Sequence, residues 1–249
     1  MVACGAVPKW QPGCKSISDD LWTLAGAGIT CSAWAEVRVY HVRSMSSATR
    51  PHSRLLKKLP EEVEKLHQAS PEARIELWCQ DEHRLGLKPI LRRVWACKGS
   101  RVRAVVRQRY QWMYLYGFVE PESGKTSWLL MPTVNVQACS LALAAFAQEQ
   151  EVGPNNHLLL VMDQAGWHKS GDLVIPEGGH LLFLPSHSPE LQPAERLWPL
   201  SNEPLANRTF ASLDELEQVQ AERCRWLQAH PEVIRGRTFF HWWPSLDTT

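Results

Sequence analysis

A chain of 249 residues, 44% of them hydrophobic, is long enough for one sizeable core, or for one core with a small appendage. Its 27 Lys and Arg balance 26 Asp and Glu, so global charge neither requires nor excludes a polyanionic partner, and only local clusters speak to one. No apolar run reaches the ~18–20 residues that cross a bilayer, and no basic segment opens the chain as a signal peptide would. Seven widely spaced cysteines without a C-x-x-C pair fit reduced thiols in a cytosol better than a disulfide framework or a zinc knuckle.

Residues 1–45 carry early Gly and Pro, scattered Trp and Cys, and no sustained period. They read as a poorly defined N-terminal extension, taken to residue 50, with no helix-turn-helix pattern. Residues 46–53 read as a linker, so the folded domain is expected over 51–249. Next, Leu55, Leu56, Leu59, Val63 and Leu66 recur at helical spacing. Pro60 suits a first helical position with Glu61 and Glu62 in the first turn, which predicts a helix over about 61–69.

Apolar residues alternate at Ile75, Leu77 and Cys79, predicting a strand over 75–80 that Asp81 closes. Alternation also predicts strands over 92–97, 101–110, 111–120 and 126–131. Pro121, Glu122, Ser123 and Gly124 form the turn before the last of them, giving an antiparallel meander. Residues 135–150 are rich in helix formers and read as a helix. Apolar runs at 158–162 and 181–184, bounded by turn signals, read as buried strands of a parallel or mixed sheet. Ser188 before Pro189, or Gln192 before Pro193, suits the start of a helix that Pro199 and Pro204 kink or break. Ser212 and Glu215 form a capping box for a helix over about 213–229, and the aromatic tail is expected to pack back on the body. The sum is an α/β chain with a mixed sheet, an antiparallel meander plus parallel strands, flanked by helices.

Three carboxylates follow strands: Asp81, Asp163 and, through a short helix, Glu195. In open α/β sheets ligands bind outside the strand C-termini, so the three can face one cleft. Such a set is all oxygen and doubly or triply charged, which suits magnesium. Two ions about 3.5–4 Å apart can clamp both oxygens of an in-line phosphoryl displacement. Spacing alone leaves a plainer reading open, in which Asp81 and Asp163 form turns and Glu195 is solvated. Glu82 is expected on the other side of the strand from Asp81. His168 can meet a substrate phosphate, orient a ligand, or serve structure alone; zinc is not expected at Asp163 and His168, since no third soft ligand lies nearby in sequence. Arg92, Arg93, Lys98, Arg101, Arg103, Arg107 and Arg109, interleaved with Trp95, Tyr110 and Trp112, can track a nucleic-acid backbone or form a solvated face.

Four ordered motifs carry a stronger signal: CQDEHRLGLKP at 79–89, RRVWACKG at 92–99, VMDQAGWH at 161–168 and LPSHSPELQPAERLWPLSN at 184–202. Over roughly 50–244 the chain resembles the DDE transposases of the mariner-like superfamily, in their bacterial insertion-sequence branch. The resemblance implies a ribonuclease H-like fold and a metal-dependent DNA transposase catalytic domain that cleaves phosphodiesters at transposon ends and joins them to target DNA. It implies Asp81, Asp163 and Glu195 as catalytic residues and ligands of two Mg²⁺ ions, with Mn²⁺ as a substitute. Arg92, Arg93, Lys98, Arg101, Arg103 and His168 would contact DNA, and the expected setting is cytoplasmic, off the membrane, with a homodimer possible. The family's helix-turn-helix is not recognisable in 1–45, and Gln192 and Glu195 stand where many relatives have Asn and Asp. The rival expectations are a silent remnant of a split or decaying gene that only binds DNA or dimerises, and a ribonuclease H-like nuclease.

Overall fold

The computed structural model describes residues 49–94, 103, 106, 109–186, 188–244 and 246, with side chains from Lys58 onward. Five strands form one mixed sheet: β1 (Arg74–Gly86), β2 (Trp112–Val119), β3 (Thr126–Met131), β4 (Asn156–Met162) and β5 (Gly179–Phe183). Their order is β3-β2-β1-β4-β5. β1, β2 and β3 run antiparallel, while β4 pairs parallel to β1 and β5 parallel to β4. The helices are α1 (Thr49–Ala69), α2 (Val136–Glu149), α3 (Leu197–Ser201), α4 (Leu213–Gln228) and α5 (Pro231–Thr238). No described helix is long and apolar enough to cross a membrane.

The strands are buried on both faces, as the continuous run Leu158–Met162 requires, because helices cover each side. On one face Leu77, Cys79, Leu115, Leu159, Val161 and Leu182 pack with residues of α1, α3, α4 and α5. On the other, Trp78, Tyr116, Phe118, Leu160 and Met162 pack under α2, where Phe146 stacks on Phe118 at 4.1 Å and meets Trp78 edge-on. Each such side chain contributes about 1.5–3 kcal/mol by leaving water. Side chains alternate between the faces along a strand, so β1 sends Asp81 toward the first and Glu82 toward the second.

The helix ends follow their sequence signals. Asn135 caps α2 by accepting from the Ala138 N–H at 2.7 Å. Ser212 caps α4 by accepting from the Glu215 N–H at 3.2 Å, and the Glu215 carboxylate reaches back to the Ala211 N–H at 2.7 Å. Phe239, Trp242 and Leu246 of the tail pack on the first core, and Trp243 is buried there.

Four expectations are corrected. The helix predicted from residue 61 begins at Thr49, so it absorbs much of the expected linker, and Pro60 lies inside it. Residues 92–94 and the described Arg103, Val106, Arg109 and Tyr110 lie in no strand. β1 is longer than its apolar alternation, because its second half pairs with β2 from Cys79↔Val119 to Gly86↔Trp112. The helix expected from 189 is instead two 3-10 turns, Pro189–Leu191 and Pro193–Arg196, followed by the short α3. Each 3-10 turn starts on a proline, which fixes φ there, and Pro199 and the 3-10 turn Glu203–Leu205 break the path again.

Candidate active site

β4 pairs with β1 only as far as Val161↔Cys79. Beyond that point β1 continues against β2 alone, so a notch opens where the parallel half of the sheet stops. Asp81 sits on the β1 wall of this notch, mid-strand rather than at a strand end, and is buried. Asp163 is the residue after β4. Glu195 lies in the 3-10 turn Pro193–Arg196, which packs on β1 and β2.

The space around Asp81 is set by its cross-strand partner. Gly117 pairs with Asp81, and a Cβ there would lie 2.9 Å from Trp198 and 3.2 Å from Leu197. The glycine lets Trp198 approach the sheet, stack on His83 at 5.0 Å and donate its indole N–H to Asp81 Oδ2 at 3.0 Å. Gln192 ties the turn carrying Glu195 to the same strand: its Nε2 donates to the Gln80 carbonyl at 2.9 Å. Its Oε1 is buried without a protein partner among the described residues.

Electrostatics couple Glu195 to each of the other two acids. Burial, then the charges of Glu195 and Glu82, raise the Asp81 carboxyl to about 8, against the opposing Trp198 bond. Burial and then the Asp163 charge raise Glu195. Asp81 therefore feels the charge of Glu195, and Glu195 that of Asp163. Asp163 moves the other way: its Oδ1 accepts from His168 Nδ1 at 2.7 Å and from the Ala165 N–H at 3.0 Å, which lowers its pKa.

His168 is buried, with Nε2 2.9 Å from Glu82 Oε1 on the far face of β1. Burial disfavours its charge, but the bonds to Asp163, Cys139 and Glu82 prevail and push it up to about 12. The ring is thus an imidazolium that donates to a carboxylate at each nitrogen. The Trp167 indole N–H, 3.0 Å from Nε2, then faces an N–H and adds no bond. A contact with DNA needs an exposed ring, so the expected DNA role of His168 is not supported.

Glu82, Cys139 and His168 are the one group of three or more His, Cys, Asp or Glu donors within 4.8 Å of one another among the described residues. Cys139 is the third soft ligand that the sequence did not reveal. Nδ1 and Nε2 of His168 already meet the Asp163 and Glu82 carboxylates at 2.7 and 2.9 Å, so neither ring nitrogen is left over for zinc. The oxygens of Asp81, Asp163 and Glu195 are spread more widely than this cluster.

The donor set fits a hard dication. It is all oxygen, and burial, followed by the repulsion of neighbouring carboxylates, raises both Asp81 and Glu195. A bound cation would relieve that repulsion. Of the basic residues expected on DNA, Arg93 and Arg103 are exposed. Arg92 is exposed too, but its guanidinium donates to the Pro199 carbonyl at 2.7 Å and its backbone N–H to Asn207. Lys98 and Arg101 lie outside the described residues. Arg84, which the sequence did not single out, lies 5.6 Å over the exposed Trp112 ring.

Residues 76–217, more than half of the chain, match the family model described as DDE superfamily endonuclease. The chain belongs to that family. Asp81, Asp163 and Glu195 all fall within the matched DDE segment. An uncharacterized protein, y4pE/y4sA of Sinorhizobium fredii (strain NBRC 101917 / NGR234), is 37% identical over 106 residues, covering 42% of this chain and 77% of that protein. Among solved structures, the mariner Mos1 paired end complex with Mg aligns at 16% identity and a TM-score of 0.51, over 84% of this chain and 65% of that one. The corresponding complex with Mn aligns at 15% identity and a TM-score of 0.51, over 82% and 64%. This member of the DDE superfamily therefore has the ribonuclease H-like fold of that transposase, and it spans just under two thirds of those chains' length.

Proposed function

We propose that the chain is the catalytic domain of a DNA transposase that cleaves phosphodiesters at transposon ends and joins the freed 3′ ends to target DNA. What supports this reading is the charge coupling of Glu195 to both Asp81 and Asp163, which adds to burial in raising Asp81 and Glu195. The family match and the likeness to a paired end complex solved with Mg and with Mn support the same reading. Asp81, Asp163 and Glu195 would hold two Mg²⁺ ions, with Mn²⁺ able to replace them. When bound, these ions would supply Lewis-acid stabilisation of the attacking and leaving oxygens.

The protein's own part is placement. Asp81 is fixed by the strand and by the Trp198 N–H, so its carboxylate needs little reorganisation. Glu195 is held in a proline-started turn tied to β1 through Gln192. The burial of Asp81 keeps one wall of the notch dry, which strengthens every charge interaction there. Arg93 and Arg103, exposed beyond β1, would track the DNA backbone with little sequence preference.

The test is metal-dependent nicking of DNA bearing candidate transposon ends, comparing wild type with Asp163→Asn and Asp81→Asn. Loss of nicking in both variants, with folding retained, supports the assignment. Equal nicking by wild type and either variant rejects that residue's role.

A further inference from the structure

Asp163 lies past the end of β4, and its side chain is about half exposed. Left to itself, a carboxylate in such a place would rotate freely. Both of its protein contacts, from His168 Nδ1 and the Ala165 N–H, fall on Oδ1. Oδ2 has no protein partner among the described residues. One oxygen is anchored and the other is presented.

The anchor itself is fixed from behind. The turn after Asp163 closes with the His168 N–H donating to the Ala165 carbonyl at 3.0 Å, which curls the ring back under the carboxylate. The ring is buried, and its second nitrogen meets Glu82 Oε1 at 2.9 Å. Glu82 in turn sits in β1 and accepts from Gln80 Nε2 at 3.0 Å. A continuous line of hydrogen bonds therefore runs from the middle of the sheet, through Glu82 and His168, to Asp163 Oδ1.

We infer that His168, backed by Glu82, is a positioning residue that orients the Asp163 carboxylate toward a divalent cation. This rests on the reading of Asp163 as a metal ligand. Hydrogen-bonded partners behind a metal ligand commonly change metal affinity about 10- to 100-fold when removed. The motif D-Q-A-G-W-H then has a mechanical meaning: the spacing of five returns the imidazole to the acid that starts the turn.

The experiment measures Mn²⁺ binding to the full chain without DNA by electron paramagnetic resonance, with thermal melts alongside. His168→Asn keeps an N–H near the Nδ1 position and so the contact with Asp163. His168→Gln keeps an N–H near the Nε2 position and so the contact with Glu82. The expected order is wild type close to His168→Asn, with His168→Gln about tenfold weaker or more. A purely structural role would lower melting temperatures without producing this order in affinity. Equal or reversed affinities in the two folded variants would overturn the inference. Asp163→Asn is the reference. If it binds Mn²⁺ as wild type does, the metal-ligand reading fails and the inference with it. If it binds weakly while His168→Gln matches wild type, the inference alone fails. Should either His168 variant fail to melt cooperatively, Glu82→Ala decides: several-fold weaker binding supports the line of bonds, and wild-type affinity overturns it.

Discussion

Asp81 and Asp163 flank one notch but are prepared in opposite ways. Asp81 is buried on the core side of β1, faces Trp198 and Glu195, and is pushed up to about 8. Asp163 is half exposed, lies beyond β4, and is held low by an imidazolium. One acid is rigid but electrostatically strained; the other is comfortably ionised but depends on a neighbour for its direction. A cation held there would meet a charge already present at Asp163 and, below about pH 8, would have to displace a proton at Asp81. The contrast arises because β1 runs on past β4, leaving one acid inside the sheet and the other at its edge.

The largest expected effect would erase the contrast. Asp81→Asn and Asp163→Asn should each lower metal-dependent nicking by about three orders of magnitude, as the loss of several kcal/mol of charge stabilisation implies. If one of them nicks within tenfold of wild type, the two acids are not partners in one site.

Stability without metal should separate the two variants by sign. The Asp81 carboxyl is raised above its unfolded value, so the stability it contributes is full below about pH 4 and is lost as pH rises through about 8. Asp81→Asn in EDTA should therefore melt higher than wild type at pH 8, by on the order of 2 kcal/mol, with the gain shrinking toward pH 5. Asp163 is depressed, so its contribution is present above its unfolded pKa and is lost as pH falls below it. Asp163→Asn should be less stable than wild type at neutral pH, by about 1–3 kcal/mol, since it leaves His168 short of a charged acceptor. Calorimetry across pH 5–8 checks both; two shifts of the same sign would contradict the opposed environments.

Gly117→Ala attacks the Asp81 side alone. The added methyl meets Trp198 at 2.9 Å, so overpacking should cost about 1–3 kcal/mol and push the indole from Asp81. Mn²⁺ affinity should fall, while the nitrogen resonances of the His168 ring stay in place. A shift at His168 would mean that the two sides are not separately built. The smallest effect is a control: Ser212→Ala removes the α4 cap, should cost about 1 kcal/mol in the melt, and should leave Mn²⁺ affinity unchanged.

Much of this frame was legible from period and punctuation. Residues 75–80, 126–131, 158–162 and 181–183 form strands because apolar runs that short, bounded by turn residues, have few other solutions. Ser212 with Glu215 announced α4 through a local bond that needs no tertiary context. The second half of β1 was not legible, since HRLG has no apolar alternation and becomes strand only by pairing with β2. Nor was the break-up of the helix carrying Glu195, where Pro189 and Pro193 permit either a helix or successive turns and packing on β1 decides. At the site, the acids stood out by type and position. Their supports did not: Trp198 lies 117 residues from Asp81 and Glu82 lies 86 from His168, so only the folded sheet brings them together. Residues 1–48, nearly all of the expected N-terminal extension, lie outside the described residues.

Where divalent cations bind decides whether the three acids form one site. A crystal of the full chain soaked in Mn²⁺, with anomalous difference density, locates them directly. The expected peaks lie at the notch, ligated by Asp81, Asp163 and Glu195, with Asp163 Oδ1 still on His168. Peaks confined to the cluster of Glu82, Cys139 and His168, or none between the three acids at saturating Mn²⁺, would contradict it.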